Sequence, residues 1–115
     1  MNNMALVVLD GNLTADPEQR DAGKQLVARF HVASNHEFGN ANDKKFVSFF
    51  QIECWNKLAE NCIKYLHKGD RVTIQGDLRQ DRWQDGDGKS RTLIKVVARS
   101  VRFDYTKKRE DDKAA

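Results

Sequence analysis

No apolar run in the 115-residue chain approaches the ~20 residues needed to span a bilayer. Residues 1–9 lack a basic stretch followed by a long apolar one, so no signal peptide is expected and a cytoplasmic, nucleoid-associated location is. Cysteine is scarce. Cys54 and Cys62 form neither a CxxC pair nor a secreted disulfide framework, and two reduced thiols are the simpler account. The excess of one sign of charge is small too: the formal net charge is +3, which permits nucleic-acid binding without arguing for it. There is no internal repeat and no composition shift, so a single domain large enough for its own core is expected.

Catalytic and metal chemistry find little support. His31, His36 and His67 have no metal-ligand spacing with the two cysteines. Asp10, Asp16 and Glu18 straddle a turn containing Pro17, where carboxylates serve turns and caps. Asp85-Gly86-Asp87-Gly88 lacks the downstream Glu of a calcium loop. No cofactor is expected, and the chain is not expected to be an enzyme.

What is present is alternation. Residues 46–55 carry aromatics on both faces of one strand. Positions two apart share a face, so Phe46, Ser48, Phe50, Ile52 and Cys54 form an apolar set and Val47, Phe49, Gln51, Glu53 and Trp55 a mixed one. Gln51 and Glu53 between two large aromatics indicate a face that meets water. Aromatics there are candidates for stacking bases; equally, loops would cover them as a second small core.

Other segments complete the pattern. Residues 4–9 read as a strand ending at a glycine bend, and residues 16–18 and 22–24 as turns. Residues 25–34 alternate with Leu26, Ala28, Phe30 and Val32 on one side and Val27, Arg29, His31 and Ala33 on the other, and residues 35–45 read as a loop. Residues 56–68 form the one helix, capped by Asn56 and followed by Gly69 in a left-handed position. Residues 71–78 and 92–103 are the last two strands, joined by a hairpin with its tip at residues 85–88. The expected class is all-β with one helix: an OB-fold, a five-stranded Greek-key barrel with the helix between strands 3 and 4. The domain is expected over residues 1–105, with residues 106–115 a short charged disordered tail.

Several segments, in order, carry a family resemblance. They are Gly11-Asn12-Leu13 with Asp16-Pro17-Glu18 and Arg20, then Phe30-His31-Val32-Ala33-Ser34-Asn35. Trp55-Asn56-Lys57-Leu58-Ala59-Glu60, Tyr65-Leu66-His67-Lys68-Gly69-Asp70, and residues 72–78 with Arg79 and Trp83 follow. Together they resemble the bacterial single-stranded DNA-binding proteins over nearly the whole chain.

The resemblance implies sequence-tolerant binding and protection of single-stranded DNA in replication, recombination and repair. It implies a homo-oligomer, a tetramer by family habit, and base stacking on Phe38, Phe49, Trp55 and Trp83. Lys44, Lys45, Lys57, Arg79, Arg82, Lys89 and Arg91 lie near those aromatics and are the phosphate candidates, Arg82 foremost because it adjoins Trp83. Gln51, Glu53 and Asp81 depart from a basic face. Glu110-Asp111-Asp112 is followed by Lys113-Ala114-Ala115, without the linker and hydrophobic tip that dock replication enzymes in the family, so recruitment through the tail is not expected. The alternative is an interaction module resembling the primosomal replication proteins of the same fold; an OB-fold nuclease stands third.

Overall fold

The computed structural model describes residues 3–37 and 45–106, with the backbone alone described at Lys45. The elements run β1 (Leu6–Leu13), β2 (Glu18–Ala22), β3 (Gln25–Glu37), β4 (Lys45–Trp55), α1 (Asn56–Tyr65), β5 (Arg71–Gln84) and β6 (Ser90–Tyr105). The sheet order is β1-β5-β6-β4-β3-β2, and β1 also pairs with β3. Five strands therefore close into a ring, with β2 outside it on β3. All pairings are antiparallel except β4 with β6, where Ile52 meets Val96 and Glu53 meets Val97. This is the expected OB-fold class, with the helix between the third and fourth strands of the ring.

Closure depends on Gly11. A side chain there would drive a Cβ into the Ala33 carbonyl oxygen, which is backbone and cannot yield. β1 can thus pass from β5 to β3, pairing Asn12 with Ala33 and Leu13 with Val32. The next two residues secure the end of β1: the Asn12 amide donates to the Gly69 carbonyl at 3.0 Å, and the Leu13 N–H donates to Asp70 at 2.9 Å.

Phe30, Val32, Ile52, Cys54, Val72, Ile74 and Val96 fill the ring, and Ala59, Cys62 and Leu66 carry the core out to the helix. The two cysteines are free and fully buried, with their sulfurs 3.9 Å apart. The Cys62 hydrogen bond and burial push the Cys54 thiol far above its ordinary range, so it stays protonated. No helix among the described residues is long and apolar enough to cross a membrane.

The structure corrects several expectations. Residues 18–22, between and overlapping the two expected turns, form a strand that the sequence did not suggest. All five side chains are exposed, so no alternation marked it; backbone pairing with β3 alone makes it a strand. Only the inner half of the apolar set on β4 is core: Ile52 and Cys54 are sealed, whereas Phe46 is exposed, on the part of the β3–β4 hairpin farthest from the helix joint.

The helix stops at Tyr65, not at residue 68, and Asn56 does not cap it. Trp55 holds the cap position without a side-chain bond. Asn56 instead takes φ 55°, which Asn tolerates, and its Oδ1 accepts from the Leu26 N–H at 3.3 Å, tying the start of the helix to β3. Gly69 does take a left-handed φ of 91°, in the turn after the helix rather than at its end. The last two strands run farther out than their apolar alternation suggests, to Gln84 and from Ser90, as a polar two-stranded arm.

Candidate nucleic-acid interface

One outer face of the sheet collects the odd-numbered residues of β3, β4, the β5 arm and the β6 arm. Cross-strand partners share a face. The register sets Phe49 against Ala33, Gln51 against His31, Glu53 against Arg29 and Trp55 against Val27. It sets Arg79 against Lys95, Asp81 against Leu93 and Trp83 against Arg91. The parallel pair Glu53–Val97 joins the two halves. Phe49 and Trp55 stand six residues apart on β4, roughly 20 Å of strand, and Trp83 stands on the neighbouring arm. All three are open to solvent, at 65%, 36% and 48%. No loop among the described residues buries them as a second core. Phe38 lies outside the described residues.

The candidate cations divide by surroundings. Arg79 is exposed and has no ion pair among the described residues. Lys57, in the first turn of the helix just after Trp55, faces water and pairs with Glu60 at 3.8 Å. Arg91 shares Trp83's face but donates Nε to Asp85 at 2.8 Å. That guanidinium and then the backbone N–H of Lys89 hold the Asp85 carboxyl below the usual range. The same carboxylate accepts from the N–H of Asp87 and of Lys89, both at 3.0 Å, and so builds the hairpin tip on which the exposed Lys89 rides.

Arg82 is placed differently from its neighbour in sequence. Adjacent residues of a strand point to opposite faces, so Arg82 opposes Thr92 on the reverse of the arm and contacts the Gln80 side chain. A shallow depression of about 420 Å³ at the end of the arm is still bordered by both Arg82 and Trp83, and by Arg91. Lys44 and the side chain of Lys45 lie outside the described residues.

Glu53 is not the open negative charge expected from alternation. It is 6% exposed. Its Oε1 accepts from the Trp55 indole Nε1 at 2.8 Å, and its Oε2 accepts from Lys95 Nζ at 2.8 Å. Lys95 reaches on to Asp81 Oδ2, also at 2.8 Å. Burial alone would lower the Lys95 ammonium pKa, but hydrogen bonds to Asp81 and Glu53 outweigh it and raise the value. Both acids that depart from a basic face are thus paired to one lysine, which leaves the trio with one negative charge over.

Reasoning from sequence missed Lys95 and Arg29. Lys95 is the lone charge inside Leu93-Ile94-Lys95-Val96-Val97, which was the available signal. Arg29 sits between Glu18 and Glu53 in the register, yet pairs with neither, and its buried Nε has no hydrogen-bond partner among the described residues. It adds a cation at the edge of the same face. Asp10 and Asp16 have structural partners: Asp10 accepts from Arg71 at 2.6 Å, and Asp16 accepts from the Lys68 N–H at 2.7 Å.

Residues 4–104 match the sequence profile of the Single-strand binding protein family. The chain is 37% identical over 112 residues to "Single-stranded DNA-binding protein 2" of Chlorobaculum tepidum, a match covering 92% of this chain and 76% of that protein. It is 39% identical over 102 residues to "Single-stranded DNA-binding protein 2" of Listeria innocua, covering 87% and 64%. It is 36% identical over 102 residues to "Single-stranded DNA-binding protein" of Oceanobacillus iheyensis, covering 88% and 63%. The chain thus spans just under two thirds of the length of the last two relatives.

Proposed function

The chain belongs to the Single-strand binding protein family, and from that membership and its outer sheet face we propose that it binds and shields single-stranded DNA without sequence preference. The observation that carries the reading is the common placement of Phe49, Trp55 and Trp83 on one exposed face. Every base has a π-face, so stacking on such rings is tolerant of sequence, at about 1–3 kcal/mol per base. Phe38 is a fourth proposed platform. Arg79, Arg91, Arg82, Lys89, Lys57, Lys44 and Lys45 are the proposed phosphate contacts, with Arg29 added. Duplex DNA hides its base faces, so the preference is for single strands.

The expected setting is DNA replication, recombination and repair at the nucleoid, without catalysis. Self-association is part of the proposal. Met4, Leu6 and Val8 expose apolar side chains along the start of the chain, a surface suited to a second copy and, by two such contacts, to a tetramer. Several barrels on one strand raise affinity through effective concentration. Residues 106–115 are proposed to be dispensable for DNA binding.

Titration with poly-dT and with duplex of equal length tests the central claim: poly-dT should quench tryptophan emission, because Trp55 and Trp83 are the only tryptophans, and duplex should not. Equal affinity for both would refute it. Sedimentation at micromolar concentration tests assembly, and a monomer would refute that part alone.

A further inference from the structure

The chain of contacts from Trp55 to Asp81 crosses three strands. The Trp55 indole N–H and Glu53 are on β4, Lys95 is on β6 and Asp81 is on β5; each link is 2.8 Å. We infer that Lys95 is a positioning residue for single-stranded DNA: through Glu53 it sets the orientation of the Trp55 indole and ties that ring to the arm carrying Trp83. The inference rests on the stacking reading given above.

The physical case begins with Glu53. Its side chain is 8% exposed and that of Lys95 14%, so each charge has lost most of its water. A buried carboxylate keeps its place only with a partner that satisfies it. Lys95 supplies that partner at Oε2, leaving Oε1 aimed at the indole. Rotation of an aromatic ring about its second side-chain torsion is otherwise broad. An N–H held by a fixed carboxylate narrows it, so the ring is ordered before a base arrives and less freedom is lost on binding.

Lys95 is poorly placed to serve phosphate itself. Two of its three donors already meet carboxylates, and both its pairing and its shielding hold it against the sheet. Its raised pKa accords with that double engagement. Asp81, half exposed at the outer end, links the chain to the arm two residues from Trp83.

A double-mutant comparison on the full chain tests this, with fluorescently labelled poly-dT as the probe. Phenylalanine keeps a stacking face but has no N–H. Lys95→Met should therefore weaken binding on the order of fivefold when Trp55 is present and less than about twofold in a Trp55→Phe background, a coupling within the range for residues in one network. Lys95→Arg, able to reach both carboxylates, should restore affinity. Salt dependence should keep its slope in Lys95→Met, because a lost phosphate contact on a single strand would flatten it by about 0.7. The Trp55 indole N–H resonance should move in Lys95→Met and return in Lys95→Arg.

Equal weakening in both backgrounds, a flatter slope or an unmoved indole resonance would each overturn the inference. Should Lys95→Met not fold, Glu53→Leu with Lys95→Met removes both charges and carries the same comparison. If Trp55→Ala leaves poly-dT affinity intact while Lys95→Met still moves the indole resonance, the stacking reading itself has failed. If affinity falls with Trp55→Ala and the Lys95 coupling is missing, only the positioning role has.

Discussion

Replacing Trp83 with alanine separates stacking from charge. The indole stands on the two-stranded arm, opposite Arg91, with 48% of the residue open to solvent. It is no part of the buried cluster that fills the ring. Its loss should therefore change stability by no more than about 0.5 kcal/mol, as for surface substitutions in general. The open ring face accommodates one base, worth about 1–3 kcal/mol. At about 1.4 kcal/mol per tenfold, the dissociation constant should rise by a factor of roughly 5–150. An indole releases no counterion, so the log–log plot of affinity against salt should shift downward in parallel, its slope unchanged. Anisotropy of a labelled dT oligonucleotide, short enough to engage one barrel, measures this across a salt series. A constant dissociation constant with an intact melting transition would refute the assignment of Trp83. A slope flattened by about 0.7 would mean that the substitution acted through its cationic neighbour Arg91 and not through a stacked base.

Asp85→Asn should free the Arg91 guanidinium from its 2.8 Å partner and steepen the salt slope by up to about 0.7, read in the same assay. The Asp85 carboxyl is held low by Arg91, so the order it gives the hairpin tip should be complete above the ordinary carboxylate value of about 3.9 and vanish as pH falls through the lower folded value, seen in the Asp87 and Lys89 amide resonances. Lys95→Met should cost about 2–3 kcal/mol in urea unfolding, less than the ~3–5 of a sealed pair because Asp81 stays wet, and adding Glu53→Leu should recover most of it. The raised Lys95 value means that its contribution is complete below about pH 10.4 and lost as pH rises through the folded value, a loss the Lys95→Met chain should not show. Gly11→Ala should destabilise by about 1–3 kcal/mol or more, because the added methyl meets the Ala33 backbone; an unchanged urea midpoint would show that β1 does not close on β3 there.

Alternation by itself determined a good part of this protein. The inward set Ala28, Phe30 and Val32, and Ile52 with Cys54, could be read from period two because burial demands apolar side chains on one face of a strand. The same period showed that Phe49 and Trp55 share the other face, since parity needs no knowledge of the fold. Strand β2 was illegible because its exposed side chains are free to be anything; its pairing is made by backbone groups common to all residues. Asn56 misled because a capping side chain and one reaching across to β3 look alike in sequence. Only the tertiary structure decided the fate of the charges. Glu53 and Lys95 are 42 residues apart, and only the parallel pairing of β4 with β6 brings them to 2.8 Å. Likewise Arg82, next to Trp83 in the chain, is turned from it by the pleat, while Arg91, eight residues away, is set opposite it by the register. Polarity is a property that a residue carries in its own chemistry, whereas the partner of a charge is set by which strands the closed ring makes neighbours.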